Sequence, residues 1–204
     1  MTGFSNALLK WYSDQEIEMP WRNETDPYRI WLSEVMLQQT QIQTVKPYYI
    51  RWINSLPTVK DTAGASEDQV LKLWEGLGYY ARARNFRHAC QMVFEKFEGE
   101  IPSDPDQFRQ LKGVGDYITA AVQSIVFGHP IPVIDGNVRR LTSRLLELSL
   151  PPSKHQKEIL EFLELHIGDT CPGDFNQAMM DLAREVCKPK KPLCNQCPVS
   201  HFCT

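Results

Sequence analysis

The sequence lacks any long apolar run: no stretch approaches the roughly 18 consecutive apolar residues that a membrane-spanning helix needs. Its first fifteen residues, MTGFSNALLKWYSDQ, are amphipathic and have no signal-peptide core. Convincing strand patterns, internal repeats and low-complexity segments are missing as well. These absences argue against a membrane protein and a β-sheet fold, and they predict a soluble cytoplasmic protein of the all-α class.

The sequence also has no excess of positive charge, because 22 Lys and Arg and 25 Asp and Glu give it a net charge of −3. Net charge bears on association rather than on fold, so the distribution of charge matters more. Basic side chains are concentrated at residues 82–87, 139–144 and 188–191, whereas acidic ones collect at 95–100 and 158–169. Each basic cluster could contact a polyanion, or could be an ordinary solvated helix face.

Cysteine is scarce except at the end of the chain, where four of the six cysteines have the spacing C-x6-C-x2-C-x5-C. This crowding is more typical of a metal site than of a disulfide framework. Zinc sites usually contain two close cysteine pairs, and only one is present here, so the spacing favours an iron–sulfur cluster over zinc. Cys90 and Cys171 remain outside this group, and Cys90 is expected to be buried.

Helical periodicity, broken by proline and glycine, recurs along the chain. It predicts helices at residues 4–13, 28–38, 44–54, 70–74, 81–97, 105–111, 118–127 and 137–148, one that ends at 166 and one that begins at 175.

The stretch LKGVGDYITAAVQSIVFGHPIPVIDGN combines a tight glycine turn with a carboxylate. Gly113 and Gly115 permit a sharp turn and a close approach to a bulky group. Asp135 directly precedes a helical pattern, which is the N-cap position. Because a helix opening can bind an anion through its N–H groups, this stretch predicts a phosphate-binding turn close to a carboxylate.

Two other segments carry residues suited to chemistry on nucleic acids. Glu34 is flanked by apolar residues, which predicts a raised pKa and a role in proton transfer; the alternative is an exposed helix glutamate. The segment GLGYYARARN, at 76–85, has tyrosines beside arginines, a combination suited to base stacking and phosphate contact. Core packing would explain the tyrosines but not the adjacent glycines and arginines.

Taken together, these segments resemble a known family of DNA repair enzymes. LKGVGDYITAAV followed by Asp135 is similar to the helix-hairpin-helix-Gly/Pro-Asp signature of DNA glycosylases, and the cysteine spacing is similar to that of endonuclease III and MutY-type enzymes. The segments WLSEVMLQQTQ, GLGYYARARN, IDGNVRR and FNQAMMDLA most resemble the adenine-specific MutY branch. The resemblance extends from Pro20 to Cys203.

The resemblance implies two helical lobes with a DNA cleft between them. Residues 24–131 would form a six-helix barrel with the helix-hairpin-helix, and residues 1–23 and 132–204 the cluster domain. It also implies a monomer that binds mismatched or damaged double-stranded DNA in the bacterial cytoplasm, associated with the nucleoid.

The resemblance further implies roles for individual residues, matched motif by motif. Glu34 would be the general acid, Asp135 the carboxylate facing the sugar, and Tyr117 and Asn137 their polar supports. Gln39 and Tyr79 would wedge into the duplex. The adenine pocket would consist of Trp21, Arg22, Leu37, Gln177 and Met180. Further DNA contacts would come from Gln38, Arg82, Gly113, Gly115, Lys188, Lys190 and Lys191. A [4Fe–4S] cluster would be held by Cys187, Cys194, Cys197 and Cys203.

The hairpin departs from the family pattern, because Lys112 stands where proline is usual. The carbonyls of Leu111 and Val114 would still hold a monovalent cation, as hairpins in this family often do. The chain also ends one residue after Cys203, whereas MutY proteins usually continue into a domain that reads 8-oxoguanine. A weaker preference for 8-oxoguanine over guanine is therefore expected.

Three functions follow as hypotheses. The first is a monofunctional glycosylase that releases adenine opposite 8-oxoguanine or guanine, since Tyr117 stands where lyases of the family have lysine. The second is a thymine or uracil mismatch glycosylase, and the third a non-enzymatic DNA-binding module. The presence of both Glu34 and Asp135 argues against the third.

Overall fold

A computed structural model describes residues 2–15, 18–149 and 154–203, which form eleven α-helices and contain no β-strand. The predicted all-α class is therefore confirmed. The helices are α1 (Gly3–Ser13), α2 (Pro27–Leu37), α3 (Ile42–Ser55), α4 (Val59–Gly64), α5 (Glu67–Trp74), α6 (Ala81–Lys96), α7 (Pro105–Arg109), α8 (Asp116–Phe127), α9 (Gly136–Leu145), α10 (Gln156–Ile167) and α11 (Pro172–Glu185). Within the described ranges, no helix is long and apolar enough to cross a membrane.

The chain divides into two compact units, and the first combines Met1–Glu16 with Phe127–Thr204. Within it, α1 packs against α10 and α11, and α9 packs against both of these later helices. Phe4, Leu8, Leu141 and Phe175 are fully buried in its core. The N-terminal helix therefore shares a hydrophobic core with the C-terminal third of the chain.

The second unit, Ile17–Val126, has a core rich in aromatic side chains. The Phe86 ring lies 4.8 Å from that of Trp31 and 5.9 Å from that of Trp52, in edge-to-face contacts. The buried Tyr28 hydroxyl donates to the Leu56 carbonyl and accepts from Trp52 Nε1. Burial raises the pKa of Tyr28. This packed centre holds the first half of α2, the helix on which Glu34 and Leu37 lie.

Helix α4 is the one element of this unit that helical periodicity does not predict. Its six residues are too few to display a period, but the helix begins with a reciprocal cap. The Thr58 hydroxyl accepts from the Asp61 N–H at 3.2 Å, and the Asp61 carboxylate accepts from the Thr58 N–H at 3.1 Å. The last long helix also starts earlier than predicted, at Pro172, because proline is well suited to the first turn.

Candidate active site

Glu34 is a buried carboxylate that carries a hydrogen bond from a phenol. It lies on α2 with 5% of its surface exposed, so the alternative of an exposed helix glutamate is excluded. The Tyr117 hydroxyl, on α8, donates to Glu34 Oε2 at 2.8 Å. One carboxylate oxygen of this buried side chain thus accepts a hydrogen bond from a phenol, which suits a group that exchanges a proton during a reaction.

Asp135 caps α9, as its position in the sequence predicts. Its Oδ1 accepts from the Val138 N–H at 2.7 Å, and its Oδ2 accepts from Asn137 Nδ2 at 3.0 Å. Two N–H donors thus orient the carboxylate at the positive end of the helix. Such a group is suited to stabilise positive charge on a neighbouring molecule.

The support of Asp135 extends through Asn137 to an arginine. Arg140 NH1 donates to Asn137 Oδ1 at 3.0 Å, and Arg140 NH2 donates to the Ala183 carbonyl at 2.8 Å. The same guanidinium reaches the Cys187 carbonyl at 3.3 Å through Nε. Burial is the main cause that lowers the pKa of Arg140. Asp135 is therefore connected by hydrogen bonds to the backbone of the first cysteine of the tail.

Asn176 holds the segment that leads to Asp135. It is 1% exposed on α11, where its Oδ1 accepts from the Val133 N–H and its Nδ2 donates to the Ile131 carbonyl, both at 2.9 Å. This side chain replaces the partners that a strand would give to an extended backbone. Asn176 is not among the residues predicted from the sequence, although a polar residue on the apolar face of α11, beside Phe175, is a signal that could have found it.

The predicted hairpin lies between α7 and α8. Gly113 has φ of 79°, and a Cβ there would lie 2.8 Å from Asn85 Cβ, so both conformation and space require glycine. The Val114 N–H closes the turn on the Leu111 carbonyl at 3.1 Å. Around Gly115 a Cβ would meet open space, which leaves room for a close approach from outside. The predicted cation at this hairpin stays a prediction.

The two candidate wedge residues share an unusual backbone. Gln39 and Tyr79 are both exposed and both have positive φ, 57° and 49°. Few non-glycine residues adopt this conformation, and those that do cluster at functional positions. Gln38, which ends α2, is half-buried. Arg82 lies beneath both loops, and its guanidinium donates to their backbone, an arrangement that sequence patterns did not reveal.

The candidate base-pocket residues belong to both units. Trp21 is buried, with its ring 5.2 Å from that of Tyr49, and Arg22 and Leu37 are half-buried in the same unit. Gln177 and Met180 lie on α11 of the other unit and are half-buried. Arg22, Leu37, Gln177 and Met180 are only partly buried, so part of the surface of each remains exposed.

The four cysteines of the tail interact with one another. Burial is the largest cause that raises the pKa of Cys197, and its neighbours Cys187, Cys203 and Cys194 raise it further. Within the described residues, no three His, Cys, Asp or Glu side chains are grouped for a single metal ion. A cubane cluster does not require that grouping, because each thiolate binds a different iron. Four neighbouring thiolates repel one another unless a cationic centre binds them, so this donor set fits an iron–sulfur cluster.

Arg144 organises the backbone between the tail cysteines. Its NH1 donates to the Lys188 carbonyl at 2.8 Å and lies 3.3 Å from Cys187 Sγ, and its NH2 donates to the Pro189 carbonyl at 3.0 Å. Lys188 is half-buried, whereas Lys190 and Lys191 are exposed. The loop therefore presents two cations to solvent on a backbone that an arginine holds.

Two protein-family models match this chain. Residues 32–165 match the HhH-GPD superfamily base excision DNA repair protein family. The chain belongs to this family. Residues 187–203 match the iron–sulfur binding domain of endonuclease III, which confirms the predicted [4Fe–4S] cluster.

Three individual proteins show how similar this chain is to known glycosylases. The human adenine DNA glycosylase is 40% identical over 214 residues, which cover all of this chain and 39% of the human protein. A solved structure of a thermostable thymine-DNA glycosylase is 26% identical with a TM-score of 0.89, and covers 98% of this chain and 94% of that one. A trapped endonuclease III–DNA covalent intermediate is 25% identical with a TM-score of 0.80, and covers 98% and 92%. The chain spans about two fifths of the length of its human relative.

Proposed function

We propose that this chain is a DNA N-glycosylase that turns a mispaired adenine out of duplex DNA and hydrolyses its bond to deoxyribose. The observation that carries the proposal is the buried Glu34 carboxylate with the Tyr117 hydroxyl 2.8 Å from Oε2. The substrate class is suggested by relatives such as the human adenine DNA glycosylase, 40% identical over the whole of this chain.

Glu34 acts as general acid and Asp135 stabilises the sugar cation. Glu34 delivers a proton to N7 of adenine, so that the base leaves as a neutral molecule when the C1′–N9 bond breaks. Asp135, held by Asn137 and the Val138 N–H, faces the developing oxocarbenium ion and stabilises or bonds C1′. Glu34, now an anion, removes a proton from the water that adds to C1′.

Turning the base out requires residues that fill the gap and residues that bind the base. Exposed Gln39 and Tyr79 are suited to fill the gap in the stack. Gln177 and Arg22 supply donors and acceptors for the edge of adenine, while Trp21, Leu37 and Met180 supply apolar surface. Gln38, Gly113, Gly115 and the lysines at 188, 190 and 191 contact the backbone of the duplex.

The cluster is assigned a structural role, since four thiolate bonds stabilise the tail and the loop that carries these lysines. A monovalent cation at the carbonyls of Leu111 and Val114 would add a positive charge next to a DNA phosphate. We also propose that the protein acts as a monomer, in the cytoplasm and at the nucleoid, where its substrate lies.

A thymine or uracil mismatch glycosylase is the second candidate. The neighbour with TM-score 0.89 is a thymine-DNA glycosylase, so the same backbone accommodates a pyrimidine enzyme in that protein. Glu34 favours adenine, because thymine and uracil can leave as stabilised anions and depend less on a general acid.

Single-turnover base release from four duplexes tests the assignment: A opposite 8-oxoguanine, A opposite guanine, T opposite guanine and U opposite guanine. We expect adenine release to be faster than release of either pyrimidine. Faster release of T or U would favour the second candidate. Tight duplex binding without release of any base would favour a DNA-binding module.

A further inference from the structure

Arg82 lies beneath the two loops that carry Gln39 and Tyr79 and donates hydrogen bonds to both. On the α2 side, its NH1 lies 3.0 Å from the Val35 carbonyl, 2.8 Å from that of Met36 and 2.6 Å from that of Gln38. These carbonyls belong to the last turn of the helix, where no backbone N–H is available to them. One guanidinium nitrogen therefore closes the end of α2.

The second guanidinium nitrogen joins this helix end to the other loop. Arg82 NH2 donates to the Thr40 hydroxyl at 3.1 Å and to the Gly78 carbonyl at 3.2 Å. Thr40 directly follows Gln39, and Gly78 directly precedes Tyr79. The guanidinium thus bonds the residues on both sides of Gln39 and the residue before Tyr79.

Other contacts fix the guanidinium itself. Its Cζ lies 5.3 Å from the centre of the Trp74 ring and 5.4 Å from that of Tyr79. Trp74 is fully buried, and its Nε1 donates to the same Gly78 carbonyl at 2.9 Å. A planar guanidinium stacked in this way loses little freedom when it forms its hydrogen bonds.

From this arrangement we infer that Arg82 is a positioning residue that fixes the loops of Gln39 and Tyr79 to each other, so that the two side chains enter DNA as one rigid unit. Its NH1 and NH2 are already occupied by backbone and hydroxyl acceptors, which leaves little capacity for a phosphate. This role differs from direct contact of Arg82 with DNA, which the family resemblance predicts, and it rests on the proposed function for the roles of Gln39 and Tyr79.

The strained backbone at Gln39 and Tyr79 explains why the two loops need a clamp, which is the name used here for the hydrogen bonds that Arg82 forms to both. Gln39 and Tyr79 both hold positive φ, a conformation that L-residues leave readily when nothing fixes the flanking peptides. A lysine at position 82 would place a single ammonium group there and could not span both loops with the planar fork of arginine. The substitution Arg82→Lys therefore keeps the charge and removes the bridge.

Hydrogen exchange of the free protein tests the clamp without DNA. Arg82→Lys should raise amide exchange in residues 38–41 and 77–80 together, while the buried part of α6 keeps its protection and shows that the protein is folded. Arg84→Lys is the matched control, since Arg84 lies on the same helix, half-exposed, and pairs with Glu67 at 2.8 Å. Faster exchange in only one loop, or in neither, overturns the inference.

Base release by combined variants tests the consequence for DNA. Arg82→Lys should slow single-turnover release on the order of 100-fold, a typical effect of misplacing groups by about 1 Å. Combined with Tyr79→Ala or Gln39→Ala, it should cost less than the product of the single effects, because both changes disable one step. Multiplicative effects would instead show that Arg82 acts independently of Gln39 and Tyr79, as a direct phosphate contact would. If the wild-type protein releases no base, the proposed function fails, and the exchange experiment still decides the clamp.

Discussion

The amide of Asn176 and the backbone of Val133 form a buried hydrogen bond of 2.9 Å that joins α11 to the segment preceding Asp135. The same amide donates to the Ile131 carbonyl, so one side chain fixes two peptides of that segment. Because Asp135 follows two residues after Val133, its position depends on a residue more than 40 positions away in the chain.

Asn176→Ala should therefore destabilise the protein and slow base release. A buried group left without its partner costs about 1–3 kcal/mol, and here two backbone groups lose theirs. Denaturant unfolding and single-turnover kinetics measure the two effects. The exposed amide of Gln156 provides the control, since Gln156→Ala should change neither quantity. Unchanged kinetics in a clearly destabilised Asn176→Ala protein would disprove the positional role.

Glu34→Gln and Asp135→Asn should each reduce base release by about 100-fold or more while duplex binding persists, because the proposed role of each group is in the transition state. Binding and single-turnover assays on the same duplex separate the two properties. Asp104→Asn is the matched control, since Asp104 caps α7 by accepting from the Gln107 N–H at 2.8 Å. Near-normal release by either site variant, or loss of binding as the first defect, would contradict these roles.

Tyr117→Phe should slow base release roughly 10- to 150-fold, the equivalent of about 1.5–3 kcal/mol for a hydrogen bond to a charged group. The ring remains, so stability should change little. Borohydride treatment of the wild-type protein on DNA should trap no covalent product, because a phenol cannot form a Schiff base. Tyr117→Lys should gain some trapping, and efficient trapping of the wild type would refute the monofunctional assignment.

Cys197→Ser should lose the iron–sulfur cluster and the folded tail together, since ligand loss removes the binding energy that folds the segment. Iron and sulfide analysis of anaerobically purified protein is the measurement. Cys171→Ser should retain full iron content, because Cys171 lies at the start of α11, outside the tail. Stoichiometric zinc without iron in the wild-type protein would exclude the cluster.

Lys190→Ala and Lys191→Ala should weaken duplex binding irrespective of sequence. Each lost phosphate contact should reduce the slope of log affinity against log salt by about 0.9. Lys157→Ala is the control, because Lys157 is exposed and lies near Glu161 on α10. An unchanged slope in both variants would show that the loop does not contact phosphates.

Much of the fold could be predicted because long helices display their period. The cap of α9 at Asp135 followed from local sequence alone, since capping depends on neighbouring residues. The short helix α4 could not be found by periodicity, although its Thr58 and Asp61 carry a capping signal.

The candidate site was harder to derive from local pattern. Glu34 and Tyr117 are 83 positions apart, so only the family resemblance linked them before the structure brought them within 2.8 Å. The contacts of Arg82 with the end of α2 and those of Asn176 could not be predicted, because these partners are backbone atoms 40 or more residues away, which no spacing rule reports.

The cap formed by Asp135 has a consequence for how this family can evolve. Asparagine and serine cap helices about as well as aspartate, so a single replacement at position 135 removes the carboxylate and leaves α9 intact. If Asp135 has the proposed role, such a replacement would remove base release without a folding defect for selection to remove. In a homologue, asparagine or serine at the start of α9 would then indicate a preserved fold without the proposed carboxylate.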